Sequence, residues 1–393
     1  MPWRTRTVED ERARFVIESE ISDLSHAELC RRHGISRPTG YKWIQRFKEE
    51  GIEGLRDRSH RPHACPHSTL PATVARILEL RKKYGWGART LRGKLARDPA
   101  IEAVPSTETI GRILKRNGCT ESRKPKRRRT HPGPPVPILP EPNGTWTTDF
   151  KGEFRTRDGK LCYPLTVQDG HSRFLLACRG MLSLDLQATM RCFRDLFHTF
   201  GLPRRIRSDN GHPFASTAIA GLSQLSVWWI SLGILPERIE PGKPHQNGRH
   251  ERMHWTLKKR TALPPHGPRA TLSAQQRRFN HFRRVYNFER PHESLDMQLP
   301  SELYHSSERP LPMSLAPIEY PGHFAIRRVS GDHTMRWNNR KVFVSTLLKG
   351  QKVGLEPIGD GVFAVYFGPL RLGWLDEVVY RIMDVKERAR RCR

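Results

Sequence analysis

Three carboxylates stand where ordinary structural chemistry gives them little to do. Asp149 lies in the apolar run TWTTDF, where a carboxylate loses hydration unless it reaches a sheet edge or meets a cation. Asp209 ends a second strand-like run at RSDNG, where the chain turns. Glu251 follows the turn-forming Pro244-His-Gln-Asn-Gly248 near the start of a helix. Taken singly, each could be a turn residue or an acid in a helix's first turn. Taken together, two strand positions and a helix can converge on one point. Such an all-oxygen set, with few other ligands, suits Mg²⁺ or Mn²⁺, which keep positions open for water and phosphate. Two rival acids rank below the trio. Glu240 precedes Pro241-Gly242 in an extended segment, and Asp169 in TVQDGHSR reads as turn chemistry.

The elements that would position these acids follow from periodicity. TWTTDF, LCYPLTVQDG and SRFLLACRGM read as three strands, with RDGK at Arg157–Lys160 as a hairpin turn. A helix is expected in LDLQATMRCFRDLFHTFG, then the short strand RRIRSDNG and a helix over much of STAIAGLSQLSVWWISLG. After Gly248 the chain turns helical. On that helix His254, Trp255 and Lys258 lie near the face of Glu251; Lys258 and His254 are candidates for gripping phosphate, and Trp255 is read as core. Antiparallel strands followed by alternating helices and strands argue for an α/β layer, spanning 144–306. Beyond it, 320–380 holds short strands separated by Gly-Asp, Asn-Asn and Asp-Gly turns, the pattern of a small β-barrel.

Ahead of the α/β layer stand two helical units, 1–57 and 68–118. In the first, Ser25 and Glu28 have capping-box spacing, and a Gly34 turn leads into RPTGYKWIQRFKEEG. There Gly40, Trp43, Ile44 and Phe47 share one face, with Arg37, Thr39, Lys42 and Arg46 available outside. This is helix-turn-helix spacing. The second unit ends in STETIGRILKRNG, with Ile110, Ile113 and Leu114 inward and Thr107, Arg112, Lys115 and Arg116 outward. His60, His63, Cys65 and His67 crowd the linker between the units, but their spacing matches no common zinc motif; a DNA-hugging linker is the better reading. A second, proline-rich linker covers 119–143. Six of its seven residues Arg123–Arg129 are basic, Arg127 and Arg128 among them, and suit phosphate contact.

The bulk properties agree. A formal charge of +29 over 393 residues repels itself unless an anion neutralises it, and nucleic acid is the default partner. No apolar run is long enough to span a bilayer, and the opening residues lack a signal-peptide core. The 7 cysteines are odd in number and scattered, as free thiols in a reducing cytoplasm would be.

TWTTDF, RSDNG with Pro213-Phe214, and PHQNGRHERMHWTLK resemble, in that order, the Asp-Asp-Glu signatures of bacterial insertion-sequence transposases with a retroviral-integrase-type core. YNFERPHESLDMQLPSELY is similar to the segment that closes that core, so the resemblance runs from about Trp146 to Tyr304. One departure stands out: Asp209 and Glu251 are 42 positions apart, longer than is usual, with the extra length in FASTAIAGLSQLSVWWISLG. The resemblance implies a multidomain α+β protein: tandem helix-turn-helix units, an RNase H-like core and the β-barrel. It implies two Mg²⁺ ions (or Mn²⁺) on Asp149, Asp209 and Glu251, and in-line displacement at phosphorus without a covalent enzyme–DNA intermediate. The implied partners are double-stranded terminal-repeat and target DNA and further copies of the chain, a dimer or larger. The implied place is the bacterial cytoplasm and nucleoid. Two alternatives are a domesticated DNA-binding protein without catalysis and another RNase H-like nuclease. The intact trio argues against the first, and the tandem DNA-reading units against the second.

Overall fold

The computed structural model describes residues 7–58, 68–120, 139–150, 152–240, 248–263, 267–359 and 361–384, apart from the side chain at 249. The four linker residues His60, His63, Cys65 and His67, and Arg127 and Arg128 of the second linker, lie outside them. The chain divides into two compact units, 1–70 and 71–393.

In the first unit, α1 (Val8–Ile21), α2 (His26–Arg32) and α3 (Arg37–Glu50) enclose a core of Phe15, Val16, Leu29, Cys30, Trp43 and Leu55. Ser25 caps α2 through the Glu28 amide, while the Glu28 carboxylate faces Arg31 at 3.9 Å. Ser36 caps α3, Pro38 fits its first turn, and Gly51 closes it at φ +62°. Gly40 is the close approach in this packing: a Cβ there would stand 2.6 Å from Cys30 Sγ.

The second unit begins with α4 (Pro71–Tyr84), α5 (Ala88–Leu95) and α6 (Thr107–Arg116). Ser106 caps α6, and Ile110, Ile113 and Leu114 are buried against Ile77, Leu80, Leu91 and Leu95, the expected stripe. These helices are fastened to the rest of their unit by polar contacts. Tyr84 Oη donates to Glu289 at 2.5 Å, Arg97 meets Glu302 at 3.0 Å, and Arg89 pairs with Glu293.

The central sheet contains β1 (Thr145–Phe150), β2 (Phe154–Arg155), β3 (Leu161–Asp169), β4 (Leu175–Met181), β5 (Arg205–Ser208) and β6 (Leu235–Arg238). β2 continues β1 along the same partner, β3, so the order is β4-β3-β1/β2-β5-β6. β3 is antiparallel to both its neighbours; β5 runs parallel to β1, and β6 to β5. Helices cover both faces. α7 (Leu186–Phe200) and α8 (Gln224–Ser231) bring Phe193, Phe197 and Trp229 onto Trp146, Leu165 and Ile206. α9 (Gly248–Thr261) and α10 (Leu272–Phe288) bring Met253, Leu257, Phe279 and Phe282 onto Cys162 and Leu175. The sequence pattern does not announce strand β6 or helix α10.

The C-terminal module has β7 (Ala325–Arg328), β8 (Thr334–Trp337), β9 (Arg340–Phe343), β10 (Lys352–Gly359), β11 (Val362–Phe367), β12 (Leu370–Asp376) and β13 (Arg381–Met383). Asn338 and Asn339, at φ 45° and 61°, make the tight β8–β9 turn. The expected closed barrel is not what forms among the described residues. An open antiparallel sheet, β13-β12-β11-β10-β7, stands beside a separate β8–β9 hairpin. The hairpin's Met335, Trp337 and Val342 pack into the core that the sheet shares, instead of hydrogen-bonding its edges. The long spacer between Asp209 and Glu251 has a packing role here: Leu222 and Ile230 are buried in this same core, with Ala218, Ile219 and Ala220 against it. Only Gln224–Ser231 of that stretch is α-helical, less than the sequence suggests.

Candidate active site

Alternation along the strands sorts the sheet into an apolar and a polar face. Trp146, Leu165, Val167 and Ile206 point to α7 and α8. Thr147, Thr166 and Gln168 point to α9 and α10, as their hydrogen bonds to His250, His254 and Tyr286 show. The β1–β5 ladder pairs Thr145 with Arg205 and Thr147 with Arg207 in parallel. Two residues beyond the last pair stand Asp149, still in β1 and on the face of its partner Thr166, and Asp209, one residue past the end of β5. The sequence therefore places both acids at the exit ends of adjacent strands.

A polar network supports Asp149. His250 is fully buried, with Nδ1 at 2.9 Å from Thr147 Oγ1 and Nε2 at 2.6 Å from Thr166 Oγ1. Burial pushes its pKa down to about 3, so the ring is neutral. His254 Nε2 is 2.6 Å from the same Thr166 hydroxyl, and its Nδ1 is 3.6 Å from Asp149 Oδ2. Asp209 accepts the Gly211 amide at 3.1 Å, but burial outweighs this and raises its carboxyl above the usual range. Asp169, the rival second acid, is wholly buried and accepts from the Asn143 amide and from the Ser172 amide and hydroxyl. That is structural turn chemistry, as expected. Glu240 is exposed at the end of the extended segment.

Helix α9 shows which of its residues can face substrate. His250, Met253, His254, Leu257 and Thr261 form its buried stripe. At about 100° per residue, Glu251 and Lys258 fall on the flank of that stripe and Trp255 on the far side. Glu251 and Lys258 are accordingly exposed. Trp255 is 56% exposed, which corrects the core reading of it, and His254 is buried and not available to grip phosphate. Asp149 lies near the end of β1, Asp209 one residue past the end of β5, and Glu251 in the first turn of α9. Among the described residues no three His, Cys, Asp or Glu side chains converge closely enough to hold a metal ion. The buried histidines escape a reading of the sequence alone, although H-x₂-MH-x₂-L spacing carries them.

The residues proposed to meet DNA are mostly on the surface. Arg37, Lys42 and Arg112 are exposed, and Thr107 is half-buried at the start of α6. Thr39 is half-buried, with its hydroxyl 2.8 Å from the capping Ser36 Oγ. Arg46 and Lys42 lie over the Trp43 ring at 5.1 and 5.0 Å. No helix among the described residues is long and apolar enough to cross a membrane.

Known families match both the N-terminal helices and the central α/β layer. The integrase core domain matches residues 140–244 and again 232–300, a helix-turn-helix domain matches 11–63, and a homeodomain-like domain matches 39–114. An uncharacterized 39.2 kDa protein of insertion element IS476 from Xanthomonas euvesicatoria is 28% identical over 304 residues, covering 74% of this chain and 76% of that protein. An uncharacterized protein of insertion element IS407 from Burkholderia multivorans is 27% identical over 247 residues, covering 61% and 83%. Among solved structures, the HTLV-2 integrase catalytic core domain in complex with magnesium aligns with 43% of this chain and 100% of its own, at 16% identity and a TM-score of 0.33. With integrase-core matches in succession behind DNA-binding helical matches, and relatives carried by bacterial insertion elements, this chain carries an integrase core domain and resembles insertion-sequence transposases with an integrase-type core.

Proposed function

We propose that the protein binds the terminal repeats of its element, nicks the ends and joins them to target DNA, using Asp149, Asp209 and Glu251 to hold two Mg²⁺ ions, for which Mn²⁺ can substitute. The observation that supports this reading is the parallel pairing of β1 with β5, which carry Asp149 and, one residue past its end, Asp209, with α9 and its Glu251 packed over β1 through His250 and His254. The donor set fits the ions in chemistry: it is all oxygen, and the desolvated Asp209 calls for a counter-charge. Bound there, the ions supply polarisation of the scissile phosphate and an acidified water or DNA 3′-hydroxyl. His254, tied to Thr166, positions Asp149 from below. Glu251 is the third donor, and Lys258, two turns further along the same flank, grips the DNA backbone. Arg37, Thr39, Lys42 and Arg46 on α3, with Thr107 and Arg112 on α6, read the terminal repeat. Arg127 and Arg128 add sequence-independent affinity. Bringing two ends together takes a dimer or larger assembly on double-stranded DNA, in the bacterial cytoplasm at the nucleoid.

The test is Glu251→Gln, assayed for binding, nicking and strand transfer on the element's own ends. Specific binding should survive while nicking and transfer are lost together. Loss of cleavage in Glu240→Gln but not in Glu251→Gln would move the third acid to Glu240.

A further inference from the structure

A groove of about 590 Å³ opens where the end of α4 meets α9 and α10. Lys83, Arg260, Arg269, Arg277, Arg278 and Arg290 line it, and no carboxylate is among its described lining residues. Tyr84 and Trp86, stacked at 4.1 Å, are buried in its wall along with Phe282 and Tyr286. Buried rings present no open face on which a base could stack, so the groove offers charge over an apolar floor.

That charge is held against its own repulsion. Burial and the neighbouring Arg290 and Arg81 lower the pKa of Arg260, and burial with Arg269 does the same to Arg278. Both nonetheless stay protonated at neutral pH. Among the described residues the buried Nε of Arg290 finds no acceptor. The fold also makes room for the cluster: Gly85, at φ +57°, would place a Cβ only 2.5 Å from Arg260 Nη2. Clustered cations with no carboxylate among the groove's described lining residues suit a polyanion. Arg260 stands nine residues along α9 from Glu251, about 14 Å at helical rise, and at about 100° per residue it lies on the opposite flank of the helix.

We propose that this groove holds backbone phosphates of bound DNA, without regard to base sequence. The inference rests on the transposase reading above, and its test reads DNA binding apart from catalysis. Full-length protein and its Arg260→Gln and Lys83→Gln/Arg277→Gln variants are titrated with a duplex of unrelated sequence across a range of salt concentrations. The slope of log K against log salt should shrink by about 0.9 for each phosphate that a variant no longer neutralises. Lys83 and Arg277 are exposed, so their double variant decides the matter if Arg260→Gln does not fold. A neutral methylphosphonate placed linkage by linkage near the element's end should weaken binding at the linkages that the groove holds. In Arg260→Gln that effect should vanish. DNA binding with an unchanged slope in every folded variant overturns the groove alone; wild-type protein that binds no DNA overturns the transposase reading itself.

Discussion

On one side of the central sheet, Phe193, Phe197 and Trp229 close over Trp146, Leu165 and Ile206. On the other, alongside an apolar patch around Phe279, His250 and His254 meet the hydroxyls of Thr147 and Thr166. The first interaction is non-directional: any well-packed apolar surface would do, and its strength follows buried area. The second is directional. Each buried polar atom there needs its partner, so α9 can dock in few registers, and that fixes where its flank presents Glu251. The contrast separates a face that supplies stability from a face that supplies placement. Substitutions on the two should fail in different ways.

The largest expected effect tests that separation directly. Asp209→Asn keeps the acceptor for the Gly211 amide and removes a desolvated charge. Nicking should fall on the order of 10³-fold or more, while the denaturation midpoint stays level or rises. An active Asp209→Asn protein would remove Asp209 from the site. The next effect belongs to the apolar face. Phe193→Ala, at a wholly buried ring, should cost about 3–5 kcal/mol in equilibrium unfolding. The fraction still folded should cleave normally; a proportionate loss of turnover per folded molecule would show that the two faces are not separable.

A smaller effect concerns the layer around α10. His292 is half-buried, with its ring edge-on to Tyr286 at 4.6 Å and Nε2 3.3 Å from the Tyr286 carbonyl. Burial, and then the charge of Arg290, push its pKa from 6.5 to about 3. The folded ring stays neutral in that window while the unfolded ring takes up a proton. Its contribution is therefore complete above pH 6.5 and is lost as pH falls, by about 1.4 kcal/mol per pH unit. His292→Gln should flatten the pH dependence of unfolding between pH 6.5 and 3 by one proton. Superimposable slopes for the two proteins would show that the ring protonates in place.

Much of this arrangement is legible in the sequence. Alternation marks β1, β3 and β4, and Gly248 marks the start of α9. The strand that ends just before Asp209 is legible too, as β5 beside β1. What escapes has physical causes. β6 is four residues long and contains Pro236, too short for periodicity to register. Barrel closure depends on pairing between strand edges, which residues inside the strands do not encode. The arginine groove needs α4 and α10 side by side, although they are far apart in the chain. The buried side of α9 is easily misread because hydrophobicity turns a tryptophan inward, whereas a sheet face lined by threonines selects histidine.

That last point leads to the smallest expected effect. Trp255 is 56% exposed, and Lys259 Nζ lies 4.9 Å from its ring centroid. A buried tryptophan truncated to alanine costs roughly 3–5 kcal/mol. Trp255 has only a solvent-facing cation–π interaction to give up, worth about 0.5–1 kcal/mol, so Trp255→Ala should shift stability by no more than about 1 kcal/mol. Chemical denaturation of the isolated protein measures this without DNA. A loss above about 2 kcal/mol would mean that the ring is covered in solution, and would turn α9 so that a different flank, and a different acid, faces the strand ends.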